Sequence, residues 1–166
     1  LVCAGAWSGR VMAMLGVRAP VIGERGYHVQ SPETNWPQDL PTTVFAEHFV
    51  VLSRFTSGLR ATSFVEFGSP DAPGDERKWR RLQMRLAGLG VKFSPTPQRW
   101  IGSRPSLPDF VPAIGRLERA PNVLYAFGHA HLGLTEAPIT SEVVCALATD
   151  KAPSFDLAPF RVERFG

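Results

Sequence analysis

The run Gly128-His-Ala-His-Leu-Gly133 lies between an apolar stretch, Asn122 to Phe127, and a helix-like stretch, Glu136 to Ala148. A strand-to-helix turn of this kind leaves backbone N–H groups free at the positive end of the helix dipole. That point suits an anion, or a group that becomes negative during a reaction. An ordinary turn with glycines for geometry has the same composition, and residue types alone leave both readings open. His129 and His131 alternate as ligands on one face of a strand do. Zinc needs a third and a fourth ligand, and none follows in a recognisable spacing. No metal is expected, and the two histidines are expected to be hydrogen-bonded and structural.

Arg104 stands in Trp100-Ile-Gly-Ser-Arg-Pro105. Pro105 restricts the backbone beside it, and Gly102 allows another group to come close. A fixed guanidinium near an apolar Trp can hold a carboxylate at two points. A surface salt bridge with Asp109 fits the spacing equally well. The serine of Gly5-Ala-Trp-Ser8-Gly9 comes one position too late for a G-x-S-x-G nucleophile elbow and reads as a helix cap. No side chain stands out as a catalytic nucleophile or base.

The elements that must carry these residues follow from period and punctuation. Leu1 to Ala4 is a short apolar run of the buried parallel-strand type. Ser8 is placed to cap a helix from Gly9 to Leu15 that Gly16 ends. Gly26 to Gln30 reads as a strand, and Ser31 to Pro41 as a loop. Thr42 to Phe55 and Leu59 to Phe67, rich in Val, Phe and Thr around Ser57-Gly58, predict an antiparallel hairpin. Asp75 predicts a helix to about Ala87, with Trp79, Leu82, Leu86 and Leu89 as its buried stripe. Ser94 to Pro112 holds five prolines and reads as fixed but irregular. Beyond Glu136 to Ala148, whose stripe is Ile139, Val143, Val144 and Leu147, the tail is expected to pack loosely.

The chain has 166 residues, with 44% hydrophobic, 10% aromatic and 20% charged. These are globular proportions and exclude a disordered chain. A net charge of +3 does not by itself point to nucleic acid. The basic face from Arg77 to Arg85 has acidic flanks and no aromatic stacking platform, so a solvated face is expected and nucleic acid is not. Cys3 and Cys145 are too few for a disulfide framework and read as reduced, buried thiols. No apolar run reaches membrane-spanning length, and the first residues lack a signal-peptide pattern. An apolar start without Met reads as part of a longer protein.

Five segments, in order, carry a resemblance: Val2 to Ser8 (VCAGAWS), Pro20 to His28 (PVIGERGYH), Gly58 to Gly68 (GLRATSFVEFG), Trp100 to Arg116 (WIGSRPSLPDFVPAIGR) and Asn122 to Pro138 (NVLYAFGHAHLGLTEAP). Together the chain resembles the C-terminal half of the FAD-dependent D-amino-acid oxidase/dehydrogenase family, and most of all its bacterial D-amino-acid dehydrogenase branch. The resemblance implies an α+β chain: an antiparallel substrate-domain sheet with helices, plus C-terminal pieces of an FAD-binding α/β domain. Residues 1–19 and 99–149 would belong to the FAD-binding domain, 20–98 to the substrate domain, and 150–166 to a tail.

It further implies that Arg104 pairs with the substrate carboxylate and that Tyr27 contacts the substrate. Ala4, Gly5, Gly102, Gly128, His129, His131, Leu132, Gly133, Leu134 and Thr135 would lie against FAD. Arg104 and the turn are expected to face one cavity. The reaction implied is oxidation of a D-amino acid to an imino acid, then a keto acid, by hydride transfer to FAD. A glycine- or sarcosine-type amine oxidase and a non-catalytic binding relative are the alternatives. The G-x-G-x-x-G fingerprint is absent from this chain, so the implied partner is an N-terminal half that carries it, and the chain alone is expected to be inactive. Ser63 stands where many relatives have glycine. A cytoplasmic place is expected, or one at the cytoplasmic face of the inner membrane, with peripheral association through an electron acceptor.

Overall fold

The computed structural model describes residues 1–166. A 3-10 turn, Gly5–Trp7, runs directly into helix α1, Ser8–Met14. Trp7 therefore takes the N-cap position, and Ser8 is not the cap expected of it. Its hydroxyl is buried without a hydrogen-bond partner. Gly16 does follow the helix end, at φ +70°, where a side chain would be strained.

Strand β1 is Ile22–Ser31. The run from Thr42 to Phe55 is not one strand. A 3-10 turn at Ala46–His48 and Phe49 at φ 52° divide it into β2, Thr43–Phe45, and β3, Val50–Phe55. The two fold back antiparallel, with Thr43 opposite Leu52. β3 and β4, Gly58–Gly68, form the expected hairpin, closed where Phe55 faces Gly58.

Helix α2, Glu76–Gly88, begins where its sequence says it should: the Asp75 side chain accepts the Arg77 N–H at 2.9 Å. Trp79, Leu82 and Leu86 are its buried residues. Strand β5, Gln98–Ser106, lies within the proline-rich stretch expected to be irregular. Its place explains the tolerance. The sheet order is β2-β3-β4-β1-β5, so β5 is an edge strand, where Pro105 can lack an N–H. β6, Ala113–Arg116, pairs antiparallel with β7, Leu124–Phe127, and α3, Ala137–Ala148, follows. The architecture is α+β, a five-stranded antiparallel sheet with three helices.

By internal packing the chain divides into two units. The first holds residues 1–24, 67–70 and 103–166, and the second 25–66 and 71–102. In the second unit, Tyr27, Val29 and Leu52 from the sheet pack on Trp79, Leu82 and Leu86 of α2. At its edge Glu66 collects the Tyr27 hydroxyl at 2.7 Å, the Lys78 ammonium and the Arg25 guanidinium. Burial pushes the Glu66 carboxyl up, but the hydrogen bonds from Lys78 and Tyr27 and the nearby charges hold it below its ordinary value.

In the first unit, Met12, Leu107, Leu117, Tyr125 and Phe127 form one core, and Ile114, Ala126 and Val143 another. Leu1 to Ala4 has a partner strand in this chain: Val2 bridges Tyr125 of β7 in parallel, with Val2 N–H donating to the Leu124 carbonyl at 2.8 Å. The tail is not loose. Val162 is fully buried, and its N–H donates to the Tyr125 hydroxyl at 3.0 Å. Burial, the largest effect, pushes the Tyr125 hydroxyl up to about 12. Both cysteines are exposed free thiols rather than buried ones. On the Leu1 to Ala4 strand Val2 turns inward, so Cys3 turns outward. No helix is long and apolar enough to cross a membrane.

Candidate functional site

The C-terminal end of β5 and the turn after β7 are tied together within the first unit. The Ala130 N–H donates to the Pro105 carbonyl at 2.9 Å, and Ser106 bridges His129 as an isolated antiparallel pair. The residues just after Arg104 thus hold the residues just before His131. Gly128 has φ 88°, and a Cβ there would overlap the Leu107 side chain. Ala130 takes φ 46°, which is costly for a residue with a Cβ and is held by its bond to Pro105.

Nη1 of Arg104 is buried and has no hydrogen-bond partner. The rival partner is occupied: Asp109 receives Arg164 at 2.8 Å and 3.2 Å. The hydrogen bond from Arg164 holds the Asp109 carboxyl below its ordinary value. A buried guanidinium nitrogen without an acceptor is costly, and a ligand carboxylate would remove that cost.

The turn itself is open. The Glu136 N–H reaches back to the Leu132 carbonyl at 2.8 Å, and the Leu132 N–H to the His129 carbonyl at 2.8 Å. The N–H groups of Gly133, Leu134 and Thr135, just before α3, donate to no backbone carbonyl. Leu132 and Leu134 are exposed, Leu134 at 92%. Free N–H groups ahead of a helix of this length suit an anionic or electron-rich group.

The two histidines differ. His129 turns inward, its Nε2 at 3.0 Å from the Thr140 hydroxyl, and burial lowers its pKa. His131 is half exposed, its Nε2 at 3.8 Å from Oε1 of Glu24. Glu24 is buried, and its Oε2 accepts the Ser106 hydroxyl at 2.7 Å. Neither Glu24 nor Ser106 stands out in the sequence. Glu24 is a single acid between Gly23 and Arg25, and its partners lie far along the chain.

Ala4 and Gly5 open the chain's first turn. Gly5 has φ 53°, with nothing within 4 Å of where a Cβ would be. A cavity of about 400 Å³ in the first unit is lined by Leu1, Cys3, His129, Gly133, Thr140 and Cys145, among others. Arg104 is not among the residues that line this cavity.

Two residues expected at the site belong to the second unit. A Cβ on Gly102 would overlap the Trp100 indole, so this glycine makes room for that ring. Tyr27 is fully buried, and its hydroxyl donates to Glu66 and accepts the Asp75 N–H at 3.1 Å. Its place is the core rather than the substrate contact expected of it.

The second unit has a cavity of its own, about 530 Å³, lined by His28, Gln30, Arg60, Gln98, Arg99 and Trp100. The His28 imidazole stacks on Trp100 at 4.8 Å. Burial, then the Arg60 charge, lower its pKa from 6.5 to about 4. A folded-state value below the unfolded one means stability that is present above about pH 6.5 and lost as pH falls towards about 4. An NMR titration of the His28 ring should show its midpoint near 4, and His28→Asn should remove this part of the acid destabilisation. A midpoint at the ordinary histidine value would show a solvated ring.

Comparison with known proteins adds an independent line. The family described as FAD dependent oxidoreductase (DAO) matches residues 1–147. A D-amino-acid oxidase of Bradyrhizobium diazoefficiens is 34% identical over 99% of this chain and 40% of its own length. Glycine oxidase from Geobacillus kaustophilus superposes with a TM-score of 0.76 at 25% identity, over 96% of this chain and 44% of that one. L-proline dehydrogenase from P. horikoshii shares the fold, with a TM-score of 0.76 at 20% identity over 98% of this chain and 46% of that one. The chain thus spans less than half the length of these relatives. With the family matched over most of its length and an oxidase relative along nearly all of it, the chain belongs to the DAO family of FAD-dependent oxidoreductases.

Proposed function

We propose that the whole protein oxidises the amine of D-amino acids, and that this chain supplies the carboxylate grip and part of the FAD contact. The observation that carries the reading is the buried, unpartnered Nη1 of Arg104, on a strand bonded to the open turn before α3. The residues present fit FAD. Gly133, Leu134 and Thr135 offer free N–H groups, and Gly5 leaves open space. Residues 1–19 and 99–149 would then form the flavin-binding part and 20–98 the substrate part.

In this reading Arg104 takes the substrate carboxylate at two points and so fixes the direction of the α-carbon's C–H bond. FAD, when bound, supplies the acceptor for the departing hydride. The Gly133–Thr135 N–H groups would hold electron-rich atoms of the cofactor. Water then hydrolyses the imino acid to the keto acid. The D-amino-acid oxidase relative supports the choice of substrate.

The test uses the protein with its N-terminal half. Visible flavin absorbance is expected, with turnover of D-amino acids, read by peroxide formation and by dye reduction. The likeness to glycine oxidase favours a second reading, an oxidase of small amines. Glycine and sarcosine outpacing every D-amino acid would establish it instead. Protein without flavin absorbance would leave a non-catalytic binding relative.

A further inference from the structure

We propose that an apolar groove in the second unit, between the β2–β3 corner and β4, receives the substrate's side chain and selects D-amino acids whose side chains are large and apolar. This inference rests on the amino-acid oxidation reading above, in which residues 20–98 form the substrate part, and it adds the class of side chain.

The groove has a volume of about 730 Å³, against about 530 Å³ for the His28 cavity. That lies within the size range of small-molecule sites. The register of the sheet builds part of its lining. Val44 stands opposite Val51, and Val51 opposite Thr62, so the three form one row across β2, β3 and β4. Leu52 and Ala61, one residue along, belong to the core with Trp79 and Leu82, so this row lies on the other face. Pairing of β3 with β4 ends at Val50 and Ser63. Phe64 and Val65 carry β4 on past the corner where Phe49 sits, and all three line the groove.

Two backbone features mark the place. Phe49 has φ 52° and Phe64 has φ 65°. Left-handed conformations are costly for bulky residues and gather at ligand sites. Here both phenylalanines line the same groove. The Ser63 hydroxyl holds the first by donating to the Phe49 carbonyl at 2.7 Å. The Arg85 guanidinium covers the second, 4.7 Å from the ring centre.

The chemistry of the lining chooses the occupant. Arg85 is its one charged residue, and its Nη1 donates to the Ser63 hydroxyl at 3.0 Å. Arg85 and Ser63 thus bond each other, and what the groove presents is mostly apolar. Phe49 is 74% exposed, Val44 64% and Val65 54%. Large apolar residues left open together in one groove mark a binding surface. An apolar side chain would take their surface out of water. A charged or hydrogen-bonding one would lose its own water against these walls. The His28 cavity, lined by Gln30, Arg60, Gln98 and Arg99, offers polar groups instead.

The test uses the full-length flavoprotein and D-amino acids with straight side chains of increasing length. kcat/KM should rise along the series, by roughly 10-fold or more for a methylene that enters the groove. D-leucine and D-phenylalanine should outpace D-aspartate, D-glutamate and D-lysine. Val65→Phe and Val44→Phe narrow the groove at exposed positions. Each should lower the ratio of kcat/KM for the longest to the shortest substrate by roughly 10-fold or more. The ratio is taken within one preparation, so a fraction of unfolded protein does not move it. A flat series overturns the inference. So does a preference for acidic side chains, which would make Arg85 the determinant. A ratio unmoved in both variants overturns it too, because the groove would then be covered by another part of the protein. A wild type that oxidises no amino acid overturns the functional reading itself. One that oxidises amino acids without apolar preference overturns this inference alone.

Discussion

Arg104→Lys in the full-length protein is expected to lower kcat/KM for amino-acid substrates by roughly 30- to 1000-fold. The substitution keeps the charge and loses the planar two-point grip. A lost bidentate, charge-assisted bond costs on the order of 2–4 kcal/mol in transition-state binding, which gives that range. The structure sharpens the expectation, because Nη1 of Arg104 is already buried without a protein partner and Asp109 is committed to Arg164. Amines that lack a carboxylate never use the grip and should lose far less. Flavin content should hardly change. Steady-state kinetics with paired substrates, one with a carboxylate and one without, make the measurement. Equal losses for both kinds would assign Arg104 to the fold or to the cofactor.

The largest stability effect is expected at Trp79. Its ring is 8% exposed and meets Tyr27 edge-on at 5.1 Å. Gly74 lies against it, where a Cβ would overlap the indole, so the ring fills its site. Trp79→Ala should cost about 3–5 kcal/mol, read as a lower urea midpoint at unchanged slope. Trp79→Phe should cost much less. It keeps an aromatic ring and removes the indole Nε1–H, which is buried without a partner. A loss below about 1 kcal/mol for Trp79→Ala would mean that α2 is not held by this ring.

Helix α2 was legible because its signals are local: an Asp cap, a 3.6-residue stripe through Trp79, Leu82 and Leu86, and Gly88 and Gly90 at its end. The β3–β4 hairpin was legible for the same reason. β5 was not, because its prolines read as breakers and only its edge position excuses Pro105. The break at Phe49 left no mark, since nothing in a Val- and Phe-rich run announces a left-handed Phe. At the candidate site, Arg104 and the glycine turn stand out by residue type, and the resemblance implies the roles proposed for them. Glu24 and Ser106 could not be found that way, because a buried acid 82 residues from its hydroxyl partner has no local signature. Tyr27 misled because a tyrosine on a strand offers its hydroxyl to a ligand and to a neighbouring carboxylate alike.

The chain leaves its first unit after Glu24 and re-enters it for good at Ser103. Glu24, Arg104, Ser106 and His131 therefore all lie outside the residues of the second unit. In the language of recombination, the second unit is a cassette. A crossover pair at these borders that also restores residues 67–70 would exchange the Trp79 core and the His28 cavity and keep every one of those four side chains. Variation can accumulate in the second unit's sequence without passing through Arg104 or the turn before α3.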